Sequence, residues 1–153
     1  MKLVIESPLS APNVEGFLRN YRYLLWCCRA LWLYGRHHAI ASHMLNPWYM
    51  DDANAEERAA GIDNAWVWDP TVTHVFFEDL GVSGGMRAAR QRCMRELVPY
   101  TSVLLANYSP ECWAAFQRGE WPPHTLGFQL QNPGKCVECG CDWTTEIRCE
   151  ACQ

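Results

Sequence analysis

The run Thr73-His74-Val75-Phe76-Phe77-Glu78-Asp79 passes straight into Leu80-Gly81-Val82-Ser83-Gly84-Gly85-Met86-Arg87, and the reading of that junction decides the fold. β-Branched and aromatic residues crowd the first segment, so it reads as a strand suited to a pleated, buried surface. Gly81 to Gly85 read as a loop, and a helix follows from about Met86 to Glu96. A strand that turns directly into a helix is half of a βαβ unit.

The flanking sequence supplies the rest. Upstream, Asn54 can cap a helix because Glu57 sits three positions on, and that helix carries Ile62 and Trp66 before Asp69-Pro70. Before it, His38 to Leu45 read as a short strand, and Asn46-Pro47 begin an irregular stretch. Earlier still, a long helix is expected from near Pro12 to Tyr34, with Gly35 as its terminator. Lys2 to Glu6 form an opening strand that stops at Ser7-Pro8, where proline removes a backbone donor. Downstream, Val98 to Leu104 give a fourth strand.

Strand and helix alternate throughout, so the order implies an α/β fold with a parallel sheet and helices on both faces. Ligands in such sheets bind beyond the carboxyl ends of the strands. Three places therefore matter: Ser7-Pro8-Leu9, Ser42-His43-Met44, and Asp79 to Arg87.

In the first helix, Phe17, Tyr21, Leu24, Cys28 and Leu31 alternate at spacings of four and three and share one face. Leu18, Leu25 and Trp32 mark a second apolar stripe, which a subunit interface or the C-terminal segment could cover. Ser109-Pro110 can cap one more short helix ending near Gly119, and turns at Pro122-Pro123 and Pro133-Gly134 follow. The expected division is an α/β domain over 1–107, a helix and linker over 108–134, and a cysteine-rich unit over 135–153.

The chain has 153 residues, 49% hydrophobic and 20% charged, which suits a folded protein with one real core. Its net charge of −4 provides no global positive field for nucleic acid. No apolar run reaches the roughly 20 residues of a membrane helix, and the opening residues are too soon interrupted for a secretion signal. A reduced cytoplasmic setting is expected, with Cys27, Cys28, Cys93 and Cys112 as small buried apolar groups.

Five of the nine cysteines fall in the last 18 residues. Cys136-Val-Glu-Cys139 and Cys149-Glu-Ala-Cys152 are two Cys-x-x-Cys pairs, and four thiolates complete a tetrahedron around zinc. Gly140 suits the first knuckle, and Cys141 is a fifth thiol that could replace a ligand. Two disulfides are the competing reading. Four sulfur ligands leave no open position, so the zinc is expected to be structural and the ribbon a protein-contact module.

Val4-Ile5-Glu6-Ser7-Pro8-Leu9, the strand ending in Asp79 and the Gly-rich turn resemble nucleoside 2-deoxyribosyltransferases and related nucleotide N-glycosidases. Met50-Asp51-Asp52, Glu56 to Ile62, and Asp79 to Ser83 with Gly85-Met86 resemble an uncharacterised branch of that superfamily common in bacteriophage genomes. The resemblance covers roughly 2–104 and implies a flavodoxin-like, Rossmann-like core that takes a nucleoside or nucleotide, in an oligomer that completes its sites across a subunit boundary.

It also implies a transferase or hydrolase chemistry at the N-glycosidic bond: a glutamate after the Gly-rich turn attacks the sugar, and an aspartate assists at the base. Arg87 stands in that glutamate's place, and a guanidinium stays protonated and cannot attack. Asp79 or Glu6 would then supply the catalytic carboxylate. Ser7, Pro8, His43, Gly81, Ser83, Gly84, Gly85, Met86 and Arg87 are the expected substrate-binding residues. Arg87 and Arg90 lie in the first turns of the helix, where cations and open amides attract phosphate. The competing function is a binder that sequesters a nucleotide, or a signalling nucleotide, without turning it over.

Overall fold

The computed structural model describes residues 2–41, 43, 54–63 and 68–123. Nine elements follow one another in the described residues: β1 (Lys2–Glu6), α1 (Val14–Gly35), β2 (Ala39–Ile40), α2 (Ala55–Ile62), β3 (Val72–Phe77), α3 (Gly84–Glu96), β4 (Tyr100–Val103), α4 (Leu105–Tyr108) and α5 (Pro110–Gln117). The four strands form one parallel sheet in the order β2-β1-β3-β4.

β1 and β3 are central because their side chains are apolar on both faces. Leu3, Ile5, Val75 and Phe77 pack on one side with Tyr23, Leu24 and Cys27 of α1 and Ala115 and Phe116 of α5. Phe76 packs on the other with Met86 and Cys93 of α3 and with Val98. Val4 and Val72 share that second face beneath Trp68. Each fully enclosed side chain such as Ile5 or Leu24 contributes roughly 1.5–3 kcal/mol of transfer free energy.

Local chemistry sets the helix ends. Asn13 caps α1 by accepting from the Gly16 amide at 2.8 Å. Gly35 does not terminate that helix as expected: it is its last residue, and Arg36 takes the left-handed conformation with φ 52°. The glycine serves a close approach instead, because a Cβ there would lie 2.3 Å from the His37 ring. Asn54 caps α2 by accepting from the Glu56 and Glu57 amides at 2.9 and 3.3 Å. Ser83 caps α3 by accepting from the Met86 amide, which starts that helix at Gly84, two residues earlier than the glycines suggest. Ser109 caps α5, with Pro110 in its first turn where a missing N–H is harmless.

The expected main face of α1 is largely the buried one: Tyr21, Leu24 and Leu31 are enclosed, and Phe17 and Cys28 are half-buried. The second stripe stays open, with Leu18 36% and Trp32 39% exposed. No helix among the described residues is long and apolar enough to cross a membrane.

Candidate functional site

The chain's first crossover carries it from β1 to β2 on one side, and its next carries it back past β1 to β3. The connections after β1 and β3 therefore diverge, α1 going to one face and α3 to the other, and leave a crevice between neighbouring strand ends. Glu6 and Ser7 stand on one lip; Glu78 to Ser83 form the other.

Glu6 lies at the end of β1 on the same face as Val4. Its Oε1 is 3.0 Å from Nδ1 of His74, which is wholly buried in β3. Trp68 stacks on that imidazole with ring centroids 4.8 Å apart, and Phe76 lies beyond at 6.4 Å. The carboxylate, 14% exposed, is thus aimed by a ring that cannot rotate freely. Ser7, next along the chain, is buried, and its Oγ lies 3.4 Å from Nε2 of His43. Part of His43 reaches solvent, but its Nδ1 is enclosed without a partner among the described residues. Burial holds the His43 ring below the usual imidazole range, with the nearby Glu6 charge opposing.

The opposite lip divides its two carboxylates between the faces, as strand alternation requires. Glu78 turns toward α3 and pairs with Arg90, which also donates to Ser102 Oγ at 3.1 Å and lies over the Phe76 ring. Asp79 turns the other way, toward α1 and α4. Tyr23 donates its hydroxyl to Asp79 Oδ2 at 2.5 Å, and the Leu105 and Ala106 amides donate at 2.7 and 3.0 Å. Those three donors make Asp79 the cap of α4 and the anchor of α1.

The Gly-rich bend is open. Gly81 has φ +89°, a conformation that glycine adopts without steric cost, and nothing lies within 4 Å of where its Cβ would be. Gly84 and Gly85 are exposed, and Arg87, also exposed, folds back to donate to the Val82 carbonyl at 2.7 Å. Met86 does not face the crevice: its side chain is 2% exposed and packs under α3 with Phe76 and Cys93. It occupies the third helical position, which turns it inward while Arg87 stays outside.

The expected residues thus fall into two groups, Glu6-Ser7-His43 and Gly81 to Arg87, with Pro8 half-buried beside the first. No hydrogen bond or ion pair joins the two groups among the described residues. An open depression of about 540 Å³ adjoins the second lip, lined by Glu78, Ser102, Val103, Leu104, Asn107 and Tyr108. Ser42, Met44, Asp51, Asp52, Trp66 and the cysteines Cys136, Cys139, Cys141, Cys149 and Cys152 lie outside the described residues.

Sequence reasoning missed His74 and Tyr23. The signal for His74 was its alternation with Val72 and Phe76, since a histidine on a buried strand face needs a polar partner. Nothing in the sequence pairs Tyr23 with Asp79, 56 positions away.

A four-stranded parallel sheet with helices packed on both faces makes this an α/β protein. The chain belongs to the family described as a domain of unknown function, DUF7768, whose model matches residues 1–103. No curated protein and no solved structure matches the chain.

Proposed function

We propose that the crevice between the ends of β1 and β3 takes a nucleoside or nucleotide and acts on its N-glycosidic bond, with Glu6 as the reacting carboxylate. The observation that carries this reading is the Glu6–His74 pair, which fixes one carboxylate oxygen of a side chain at the end of β1 that stays partly exposed. A Glu6 oxygen would form an ester bond to the anomeric carbon as the C–N bond breaks. The electron pair leaves on the base nitrogen, which takes up a proton, and water or a second base then displaces the carboxylate. Arg87 and the open amides at the start of α3 would hold a phosphate.

The test is incubation with deoxynucleosides, nucleoside monophosphates and dinucleotide cofactors, followed by chromatography for free base. Base release that disappears in Glu6→Gln is expected. Its persistence in that variant, or its absence across the whole panel, would refute the reading.

One observation favours the second reading, a binder that sequesters the nucleotide unchanged. The three donors on Asp79 give it a structural task, which withdraws one of the two expected carboxylates from the chemistry. In that case ligand is retained intact, and Arg87→Glu weakens retention by about tenfold or more.

The same proposal includes a structural zinc held by Cys136, Cys139, Cys149 and Cys152, since four thiols in two local pairs satisfy a tetrahedral ion. The ribbon would serve as a contact for a protein partner, in a cytoplasmic protein of phage type that forms homo-oligomers. About one zinc per chain, lost in Cys139→Ser, is the expected metal analysis.

A further inference from the structure

We propose that the seam between α1 and α5 carries an oxyanion-binding site formed by Arg19, Arg22 and the Trp121 indole on a floor made by Phe116. It lies on the side of the sheet that α1 and α5 cover and does not depend on the chemistry of the crevice.

Arg19 and Arg22 are three positions apart and share a face of α1. Their guanidinium carbons lie 5.8 and 5.4 Å from the Phe116 ring centroid, and that of Arg22 lies 5.8 Å from Trp121. The ion pairs of the described residues engage Arg90, Arg92, Arg95 and Arg118, and none reaches Arg19 or Arg22. Glu120, the carboxylate nearest in sequence to Trp121, is held by Arg118 at 2.6 and 3.1 Å.

Two further donors are stranded in the same cluster. Nε of Arg22 and Nε1 of Trp121 are both buried without an acceptor among the described residues, and Trp121 is only 8% exposed. The ring faces offset part of the cost of the cations. They offer no oxygen or nitrogen acceptor to the two N–H groups. Every stranded polar group here is a donor, and an anion with several acceptor oxygens answers all of them at once. Burial and the charge of Arg19 already lower the proton affinity of Arg22, the response of a cation that lacks a counterion.

The oxyanion has two candidate sources: a phosphate group from solution, or a carboxylate of the chain itself. The chain continues from Pro123, close by, toward Glu138, Asp142, Glu146 and Glu150. The experiment uses the full, ¹⁵N-labelled protein and follows the Trp121 Nε1–H and Arg22 Nε–H resonances, with Trp121→Phe assigning the former. Inorganic phosphate is added at constant ionic strength, and chloride is the control. A saturable downfield shift of both signals is expected, weakened at least tenfold by Arg22→Gln and by Arg19→Gln.

The second arm replaces the four tail carboxylates together, as Glu138→Gln, Asp142→Asn, Glu146→Gln and Glu150→Gln. If a tail carboxylate fills the site, both resonances move before phosphate is added, and phosphate then binds at least tenfold more tightly than to the unsubstituted protein. If phosphate is the occupant, affinity is unchanged. Absence of a saturable shift in both proteins, or a shift indifferent to both arginine substitutions, overturns the proposal.

Discussion

The Tyr23 hydroxyl points at Asp79 Oδ2 from 2.5 Å away, and the same oxygen also receives the Leu105 amide at 2.7 Å. Burial, then the neighbouring Cys27 and the bond to Asp79, push the Tyr23 phenol well above its ordinary range, so it remains a donor at any physiological pH. One side chain thus gathers the end of β3, the start of α4 and the first helix.

Asp79→Ala should accordingly cost about 2–4 kcal/mol, because it removes the cap of α4 and strands a phenol and two amides. Tyr23→Phe should cost less, about 1.5–3 kcal/mol, since both amides keep their acceptor. Urea midpoints at unchanged slope give the comparison. A near-neutral Asp79→Ala would show that those amides find water instead.

His43 predicts a pH dependence. Its ring is held below the usual imidazole value by burial, with the Glu6 charge acting in the other direction. The folded protein keeps the ring neutral where the unfolded chain has taken up a proton. Stability is therefore fully present above about pH 6.5 and declines as pH falls below it. Unfolding measured between about pH 7.5 and 5.5 should show a steeper decline for the native sequence than for His43→Gln. Parallel profiles would remove His43 from the account.

Leu97 closes α3 in the left-handed conformation, φ 58°, with its amide donating to the Cys93 carbonyl and its side chain 85% exposed. Leu97→Gly relieves roughly 1–2 kcal/mol of backbone strain and gives back a part of it through a looser unfolded chain. A net gain of about 0.5–1 kcal/mol is expected from thermal or urea unfolding. Leu97→Val, β-branched, should shift the midpoint the opposite way.

The helix thiols should be inert in the folded protein. Cys27, Cys93 and Cys112 are enclosed, and burial pushes Cys28 up to about 12 and Cys93 to about 11. Alkylation proceeds through the thiolate. Peptide-resolved labelling near pH 8 should run at least about tenfold slower at these four positions before denaturation than after it. Equal rates at Cys28 would mean that its side of α1 opens readily.

Much of this architecture could be read from local chemistry. The β3 run, the caps at Asn54 and Ser109 and the alternation of strand and helix are short-range signals, and they imply a parallel sheet; the order β2-β1-β3-β4 is seen only in the structure. What escaped depends on distant partners. The short helix Leu105–Tyr108 has no propensity signature and exists beside a carboxylate 26 positions away. β2 spans Ala39–Ile40 in the described residues, against an expectation from His38 to Leu45. The lips of the crevice were legible because glycines and strand ends mark them. The inward turn of Met86 and the roles of His74 and Tyr23 were not, because rotation about a helix and pairing across a sheet are settled by packing.

The knot at Asp79 also bears on where the protein can be divided. Family similarity stops at Val103, the last residue of β4, yet two of the three bonds to Asp79 come from Leu105 and Ala106 immediately beyond. A fragment trimmed to that border would retain all four strands while exposing the carboxylate that α4 normally covers. The matched span and the folding unit therefore do not share an edge, and moving this module onto another chain would require a replacement for those two amides.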